Sequence, residues 1–396
     1  MRVTQSIDQT QFLTSINTLE SNINQTQNQL SSGLQFTTAS QNPTAAGSVN
    51  NYKQALAQSQ QYGTNATSAQ TNLNTEGNAL TQVQNQLQSL RSLALEANSG
   101  TLSNTDRTAI ATQVVQIQNS LLSLANTTNG NGEFIFGGFA AQTQPFTLSA
   151  TGATYNGDQG QRQVQIAAGL TVADGDNGDT VFNQIKTGNG TFAVAAAAGN
   201  TGSGIVGATT VSNPAAYAGG TYAITFTAPG TYQVTQGATL VTTGTYTDGG
   251  TIAFNGVQVT LSGTPATGDA FTVAPSTNQS LFTTVQNLVT ALQTGVTTPA
   301  STTSLNNSIN AAINNIDQAV AQTSDVQASV GGRLNSITTQ QSVATSQQTQ
   351  LQQSISNLQS LDFATAITTL DQQNTTLSAA LQAFSQTQGL SLFKFL

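Results

Sequence analysis

The chain has 396 residues, of which only 6% are charged, and its formal net charge at pH 7 is −8. Because it contains no Cys and no His, disulfides, thiolate zinc sites, cysteine nucleophiles and histidine bases are excluded. Its few, scattered Lys and Arg disfavour nucleic acid and membranes as partners. We expect no catalytic, cofactor-binding or metal-binding residues and no enzyme activity.

The start of the sequence predicts no Sec-type export signal, because no basic segment precedes an apolar run. No apolar stretch approaches the roughly 18 residues that a membrane-spanning helix needs. If the protein is exported, we therefore expect another route.

The N-terminal part shows apolar residues at alternating steps of three and four, which is the seam pattern of a coiled coil. Three such seams follow one another, and Glu76 occupies one position of the second. Ser103 and Asp106 have the spacing of a capping box before the third seam. The seams are Phe12, Ile16, Leu19, Ile23 and Leu30; Leu73, Leu80, Val83, Leu87 and Leu90; and Ile110, Val114, Ile117, Leu121 and Leu124.

The middle of the chain holds most of its Gly, and apolar residues alternate there with a period of two, which predicts strands. Tyr222, Ile224 and Phe226 alternate in this way. Asn255-Gly256 lies between two alternating runs and predicts a tight hairpin. Residues 132–139, GEFIFGGF, are interpreted as a strand and a tight turn.

A small acidic cluster in this middle region has oxygen ligands that could suit Ca²⁺. Its spacing does not fit an EF-hand, so a solvated turn is the favoured interpretation. The cluster comprises Asp174, Asp176, Asn177 and Asp179.

The C-terminal part returns to the helical seam, and no Pro follows Pro299. A helix over about residues 301–358 would be roughly 90 Å long at 1.5 Å per residue. A last helical segment and an apolar tail follow it. The segment carries Phe363, Ile367, Leu370, Leu377, Leu381 and Phe384, and the tail carries Leu390, Leu392 and Phe393.

These patterns predict a mainly α protein with a β insert: a long coiled-coil or helical-bundle rod from both termini, plus a central β-rich domain. Because Thr, Ala, Gln and Ser fill many seam positions, the outermost segments gain little from burial. We expect those segments to order only against other subunits, the alternative being ordinary bundle helices folded back on themselves.

Several segments, in the same order along the chain, resemble the bacterial flagellin-like family and its hook–filament junction members. The chain departs from the family at Gln41-Asn42, where acidic residues are usual. The segments are LSSGL (30–34), NPTAAG (42–47), the run from NLNTEG to SNTDR (72–107), LANTTNGNGEFIFGG (124–138), YNGDQGQRQVQI (155–166) and AFSQTQGLSLF (383–393).

The resemblance implies three domains. These are a terminal helical domain (1–40 and 360–396) that is disordered in the monomer, a helical-bundle rod domain (41–139 and 277–359) and a β-rich variable domain (140–276). It implies a structural role outside the cell, after export by the flagellar type III apparatus. The protein would form an adaptor ring that joins the hook, through the other hook-associated protein, to the flagellin filament.

The implied partners are other copies of the chain in a ring, the other hook-associated protein, flagellin and an export chaperone. The candidate subunit contacts are the first seam, the last helical segment and the tail described above. Two alternatives remain: a flagellin that forms the filament itself, and a secreted β-domain adhesin on a helical stalk.

Overall fold

A computed structural model describes residues 2–389, with side chains described at residue 7 and over 9–386. The chain divides into two compact units, which we call the terminal unit (Met1–Thr64 with Gln340–Leu396) and the central unit (Asn65–Thr339). The described helices are α1 (Arg2–Ser32), α2 (Pro43–Ala97), α3 (Asn104–Ala125), α4 (Leu281–Gln293), α5 (Pro299–Gln359) and α6 (Phe363–Gly389).

The terminal unit contains α1, the start of α2, the end of α5, and α6. Helix α1 packs against α6. A small cluster of Phe36, Ala46 and Val49 is covered by Ile355 and Leu358. The terminal unit therefore buries little apolar surface of its own.

The central unit has the main helical core. The second predicted seam is confirmed, because its five apolar side chains are fully buried. Glu76, at the interrupting position, is fully buried as well. The side chains of this seam at 0% exposure are Leu73, Leu80, Val83, Leu87 and Leu90.

The predicted start of α3 is also confirmed. The Ser103 side chain accepts a hydrogen bond from the backbone N–H of Asp106, and the Asp106 side chain accepts one from the backbone N–H of Ser103. This reciprocal pair satisfies donors that a helix start leaves free. The hydrogen bond from Ser103 also lowers the pKa of Asp106.

The insert consists of short strands and one π-helical turn, Asp179–Asn183. The strands are β1 (Phe146–Ser149), β2 (Gly152–Tyr155), β3 (Gln163–Ala167), β4 (Leu170–Ala173), β5 (Ile185–Lys186), β6 (Phe192–Ala196), β7 (Ile205–Val211), β8 (Tyr222–Ala228), β9 (Thr231–Gln236), β10 (Thr239–Thr245), β11 (Thr251–Phe254), β12 (Val257–Ser262), β13 (Ala270–Pro275) and β14 (Asn278–Gln279).

The strand pairs are antiparallel. One sheet has the order β10-β9-β8-β13-β6, another has β11-β12-β7, and three pairs join β1 to β2, β3 to β4 and β5 to β14. The predicted alternation is confirmed in β8, where Tyr222, Ile224 and Phe226 are buried between exposed or half-buried neighbours. The two larger sheets enclose a core of their own, separate from the helical core.

The predicted hairpin is confirmed between β11 and β12. Asn255 has φ 42° and Gly256 has φ 78°. Positive φ at both central residues is the requirement of a type I′ turn, which matches the twist of the flanking strands. The prediction of a strand within 132–139 was wrong: this segment forms turns, and Phe134 makes only an isolated bridge to Thr128.

Asn side chains of α5 tie the insert to the helices of the central unit. The amide groups of Asn307 and Asn310 bond the backbone N–H and C=O of Val206, and Asn315 accepts the backbone N–H of Gly188. The predicted fold class, helical at both ends with a central β-rich insert, is thus confirmed.

Candidate subunit interface

The pairing of α1 with α6 is the most prominent feature of the terminal unit. The rings of Phe12 and Phe384 stack with centroids 4.6 Å apart and planes 6° from parallel. Further along, Ile16 and Ile23 are buried to 9% and 7% exposure. These three positions of the first seam therefore face into the helix pair.

The seam continues with a polar position. Thr26 is buried, and its hydroxyl bonds the backbone carbonyl of Asn22 at 3.0 Å and contacts the side-chain oxygen of Gln373 at 3.1 Å. A satisfied Thr at a core position fixes the register of two helices but gains less burial energy than Leu would.

A loop after α1 is pinned to the junction between α5 and α6. The backbone N–H of Gln35 donates to Gln359, and that of Leu361 donates to Gly33. Gly33 has φ +68°, and the ring of Phe363 lies over it, 3.6 Å from where a Cβ would stand. The αL conformation and this close ring explain why glycine occupies the position.

Asp362 caps the start of α6, a feature that the sequence reasoning missed. Its carboxylate accepts the backbone N–H of Ala364 at 3.0 Å and the hydroxyl of Thr365 at 2.8 Å. These hydrogen bonds, the one from Thr365 first, lower the pKa of Asp362. The signal was available, since Asp directly before an apolar periodic run is a common helix start.

The candidate contact residues fall into three groups by exposure. Ile16 and Ile23 are buried in the helix pair. Phe363, Ile367 and Leu381 are about half exposed, at 51%, 51% and 48%. The partly buried candidates are Phe12, Leu19, Leu30, Leu370, Leu377 and Phe384. Leu390, Leu392 and Phe393 lie outside the described residues.

Two exposed apolar residues on α1 were not predicted. Ile7 and Leu13 are 55% and 47% exposed and lie off the seam. An apolar residue outside the seam of an otherwise amide- and hydroxyl-rich helix was the signal that could have identified them. With the half-exposed group on α6, they bring the large apolar side chains exposed on the helix pair to five.

The acidic cluster in the central unit is not a solvated turn, so that interpretation was wrong. Asp174 and Asn177 are 6% and 8% exposed. The carboxylate of Asp174 pairs with Arg162 at 2.9 Å, and that of Asp176 pairs with Arg333. Tertiary ion pairs bury this loop, and the sequence spacing gave no sign of them.

Among the side chains that the structure describes (residue 7 and residues 9–386), no three His, Cys, Asp or Glu are grouped so that they could hold a metal ion. In the same part of the chain, no helix is long and apolar enough to cross a membrane.

Comparison with known proteins agrees with this architecture at both ends and in the middle. The chain matches the bacterial flagellin N-terminal helical region over residues 3–141 and the flagellin C-terminal helical region over 313–396. Residues 195–275 match the D2-like domain of flagellar hook-associated protein 1.

Individual relatives show which flagellar protein the chain is similar to. The chain is 35% identical to the flagellar hook-associated protein 3 of Salmonella typhimurium over 159 residues, 40% of this chain. It spans about half the length of this curated relative, 50%.

Solved structures align over more of the chain. FlgL from Xanthomonas campestris is 35% identical, with a TM-score of 0.73, over 77% of this chain and 99% of that one. The flagellar junction protein FlgL from Legionella pneumophila is 30% identical, with a TM-score of 0.71, over 79% and 100%. The chain belongs to the family of FlgL, the flagellar hook-associated protein 3.

Proposed function

We propose that this protein is a structural component of the bacterial flagellum that forms an adaptor ring at the hook–filament junction. One observation carries the proposal: the α1–α6 pair exposes five large apolar side chains, those of Ile7, Leu13, Phe363, Ile367 and Leu381, in a chain related to FlgL. Because exposed apolar surface is a mark of interaction sites, neighbouring subunits pack on these side chains.

The proposed partners are other copies of the chain within the ring, the other hook-associated protein on one side and flagellin on the other. An export chaperone binds the C-terminal segment before assembly, and the flagellar type III apparatus carries the chain out of the cell. The role is mechanical and involves no catalysis, cofactor or metal, which fits a sequence without Cys and His.

We further propose that three domains share this work. The terminal domain, 1–40 with 360–396, orders on assembly and makes the subunit contacts. The bundle domain, 41–139 with 277–359, forms the rod, and the β-rich domain, 140–276, is the variable part. The candidate contacts in the first seam and in α6 belong to the first of these domains.

Deletion of the gene, followed by electron microscopy of the cells and immunoblotting of the medium for flagellin, tests the proposal. Bare hooks with flagellin released into the medium are the expected result. Bare hooks without released flagellin would identify a filament subunit instead, an alternative that the match to both flagellin terminal regions supports. Normal filaments would contradict the junction role.

A matched pair of variants tests the surface itself in complemented deletion cells. Ile367→Gln changes an exposed position of α6, and Val343→Gln changes an equally exposed position of α5, at 51% and 52% exposure. We expect Ile367→Gln to abolish or shorten filaments and Val343→Gln to leave them unchanged. Equal filament lengths in both strains would show that the exposed face of α6 is not part of the subunit interface.

A further inference from the structure

A glutamate lies in the core of the central unit, where an apolar seam residue was expected. Glu76 on α2 is 0% exposed. Its Oε1 accepts the backbone N–H of Asp176 at 3.2 Å. Its Oε2 is buried and has no hydrogen-bond partner. A buried carboxylate oxygen without a donor is costly, so its protonation state needs an explanation.

The side chain of Asp176 lies close enough to Glu76 to interact with it electrostatically. It accepts hydrogen bonds from the guanidinium of Arg333 on α5 and from Gln161. Arg333 also donates to the backbone carbonyl of Ala173 at 3.3 Å. Helix α2, helix α5 and the segment 173–178 therefore meet at one polar point at the edge of the apolar core, where the side chains of Arg333 and Asp176 are 13% and 15% exposed.

The neighbouring guanidinium, that of Arg162, is already shared by two other carboxylates. Arg162 pairs with Asp174 at 2.9 Å and with Glu133 at 3.6 Å. Asn72, one turn before Glu76 on α2, donates to Asp174. Of the cationic side chains that the structure describes, Arg333 alone is left to balance the carboxyl groups of Asp176 and Glu76, and one guanidinium cannot neutralise two carboxylates.

A proton on Glu76 resolves this imbalance. Burial, first, and then the charge of Asp176 raise the pKa of Glu76 well above its usual value, while Arg333 lowers it less. A protonated Glu76 carries no buried charge and supplies the donor that a hydrogen bond between the two carboxyl groups requires.

We propose that Glu76 is the proton-bearing member of a carboxyl–carboxylate pair with Asp176, which latches the segment 173–178 onto α2 and α5. When Glu76 loses its proton, a buried and a partly buried negative charge share one guanidinium, and the segment is released from the helices. The junction between the helical core and the β insert is then a latch that acid closes and alkali opens.

The sign of the pH effect follows from proton linkage. The folded protein holds the proton of Glu76 at pH values where the unfolded chain has lost it. The stability from this group is complete below the unfolded pKa and is lost as the pH rises through the folded pKa. This direction is opposite to that of ordinary surface carboxylates.

The wild-type protein allows a direct test, because it contains only four Glu residues: Glu20, Glu76, Glu96 and Glu133. Carbon-13 labelling of Glu carboxyl groups gives four NMR signals, and Glu76→Gln assigns one of them by its disappearance. We expect the Glu76 signal of the folded protein to remain protonated at pH values where the Glu76 carboxyl of the denaturant-unfolded chain has ionised. A Glu76 signal that titrates over the same pH range in the folded and the unfolded protein would overturn the proposal.

A stability measurement tests the latch itself. Glu76→Gln is a neutral mimic, and Glu96→Gln is the control at an exposed position of the same helix. Chemical denaturation from about pH 5 to about pH 9 should show wild type losing up to roughly tenfold in folding equilibrium constant per pH unit relative to Glu76→Gln. Glu96→Gln should follow wild type. A constant ratio between wild type and Glu76→Gln would contradict the latch.

Discussion

The terminal and central units are built from similar amide- and hydroxyl-rich helices, yet they bury different side chains. The terminal unit buries few apolar residues, several of them Ala. The central unit buries a continuous set of Leu, Ile, Val and Phe, many at 0% exposure. The buried apolar residues described in the terminal unit are Ile16, Ile23, Phe36, Ala46, Val49, Ala344 and Ala366.

This difference shows where helical periodicity is sufficient and where it is not. Both units carry the seam spacing, but burial energy follows the apolar area removed from water, at roughly 25 cal/mol per Å². A seam of Ile, Thr and Ala positions an interface without stabilising it strongly. We infer that the central unit folds by itself and that the terminal unit gains its stability from neighbouring subunits.

The largest expected effect comes from the aromatic core of the central unit. Phe146 is 0% exposed and contacts Tyr155, Phe182 and Phe282 with ring centroids 5.0–5.4 Å apart. Phe146→Ala should cost about 3–5 kcal/mol in the free energy of unfolding, measured by chemical denaturation. The control Phe139→Ala removes a ring that is 67% exposed and should cost far less. Equal losses of unfolding free energy in the two variants would contradict the place of Phe146 in the core of the central unit.

The next effect concerns the β insert. Asp269 is 1% exposed, and its carboxylate accepts the backbone N–H groups of Thr201, Gly202 and Ala266 at 2.8–3.0 Å. Asp269→Ala leaves three amides without this acceptor, so we expect a loss of about 3 kcal/mol by thermal or chemical unfolding. Asp248→Ala, at an exposed turn, is the control. A loss no larger than that of the control would show that water replaces the carboxylate.

A matched pair of isoleucines compares the two units directly. Ile309 on α5 is 0% exposed in the central unit, and Ile23 on α1 is 7% exposed in the terminal unit. In the monomer, Ile309→Ala should cost about 3 kcal/mol and Ile23→Ala about 1 kcal/mol, because the terminal unit buries few apolar residues. Only Ile23→Ala should impair filament formation at permissive temperature. Equal losses of unfolding free energy in the monomer would contradict the difference in stability between the two units.

The smallest expected effect concerns two helix caps, one in each unit. Asp106 caps α3 in the central unit and Asp362 caps α6 in the terminal unit, and hydrogen bonds lower both pKa values. Each cap stabilises its helix above the unfolded pKa and loses this effect as the pH falls through the lowered folded pKa. Asp106→Asn should therefore make the free energy of global unfolding depend less on pH in the acid range. Asp362→Asn should change only the acid-induced loss of helix in α6, which site-resolved hydrogen exchange measures. A change in global unfolding from both variants would contradict the separation of the two caps.

Features set by local spacing were predictable from the sequence. The helical seams, the capping box at Ser103 and the Asn255-Gly256 hairpin each depend on residues close together in the chain. What escaped prediction depends on distant partners. The loop at Asp174 looked solvated because Arg162 and Arg333 reach it only in the fold. Spacing placed Glu76 on the second seam, but it gave no sign of its partner Asp176, which lies 100 residues further along the chain.

The candidate interface was predictable only in part. Spacing identified the seam of α1 and the apolar positions of α6, but it could not separate Ile16, which is buried, from Ile367, which is exposed. That distinction depends on how the two helices are rotated about their axes. Ile7 and Leu13 were missed because they lie outside the seam.

The central claim, that the terminal unit is completed by other subunits, is tested most directly by amide hydrogen exchange on the free and the assembled protein. In the free protein we expect residues 9–32 and 363–386 to exchange far faster than the core of residues 65–339, and we expect assembly to protect them. Protection of α1 and α6 in the free protein equal to that of the central unit would contradict the claim, because the helix pair would then be complete without a neighbour.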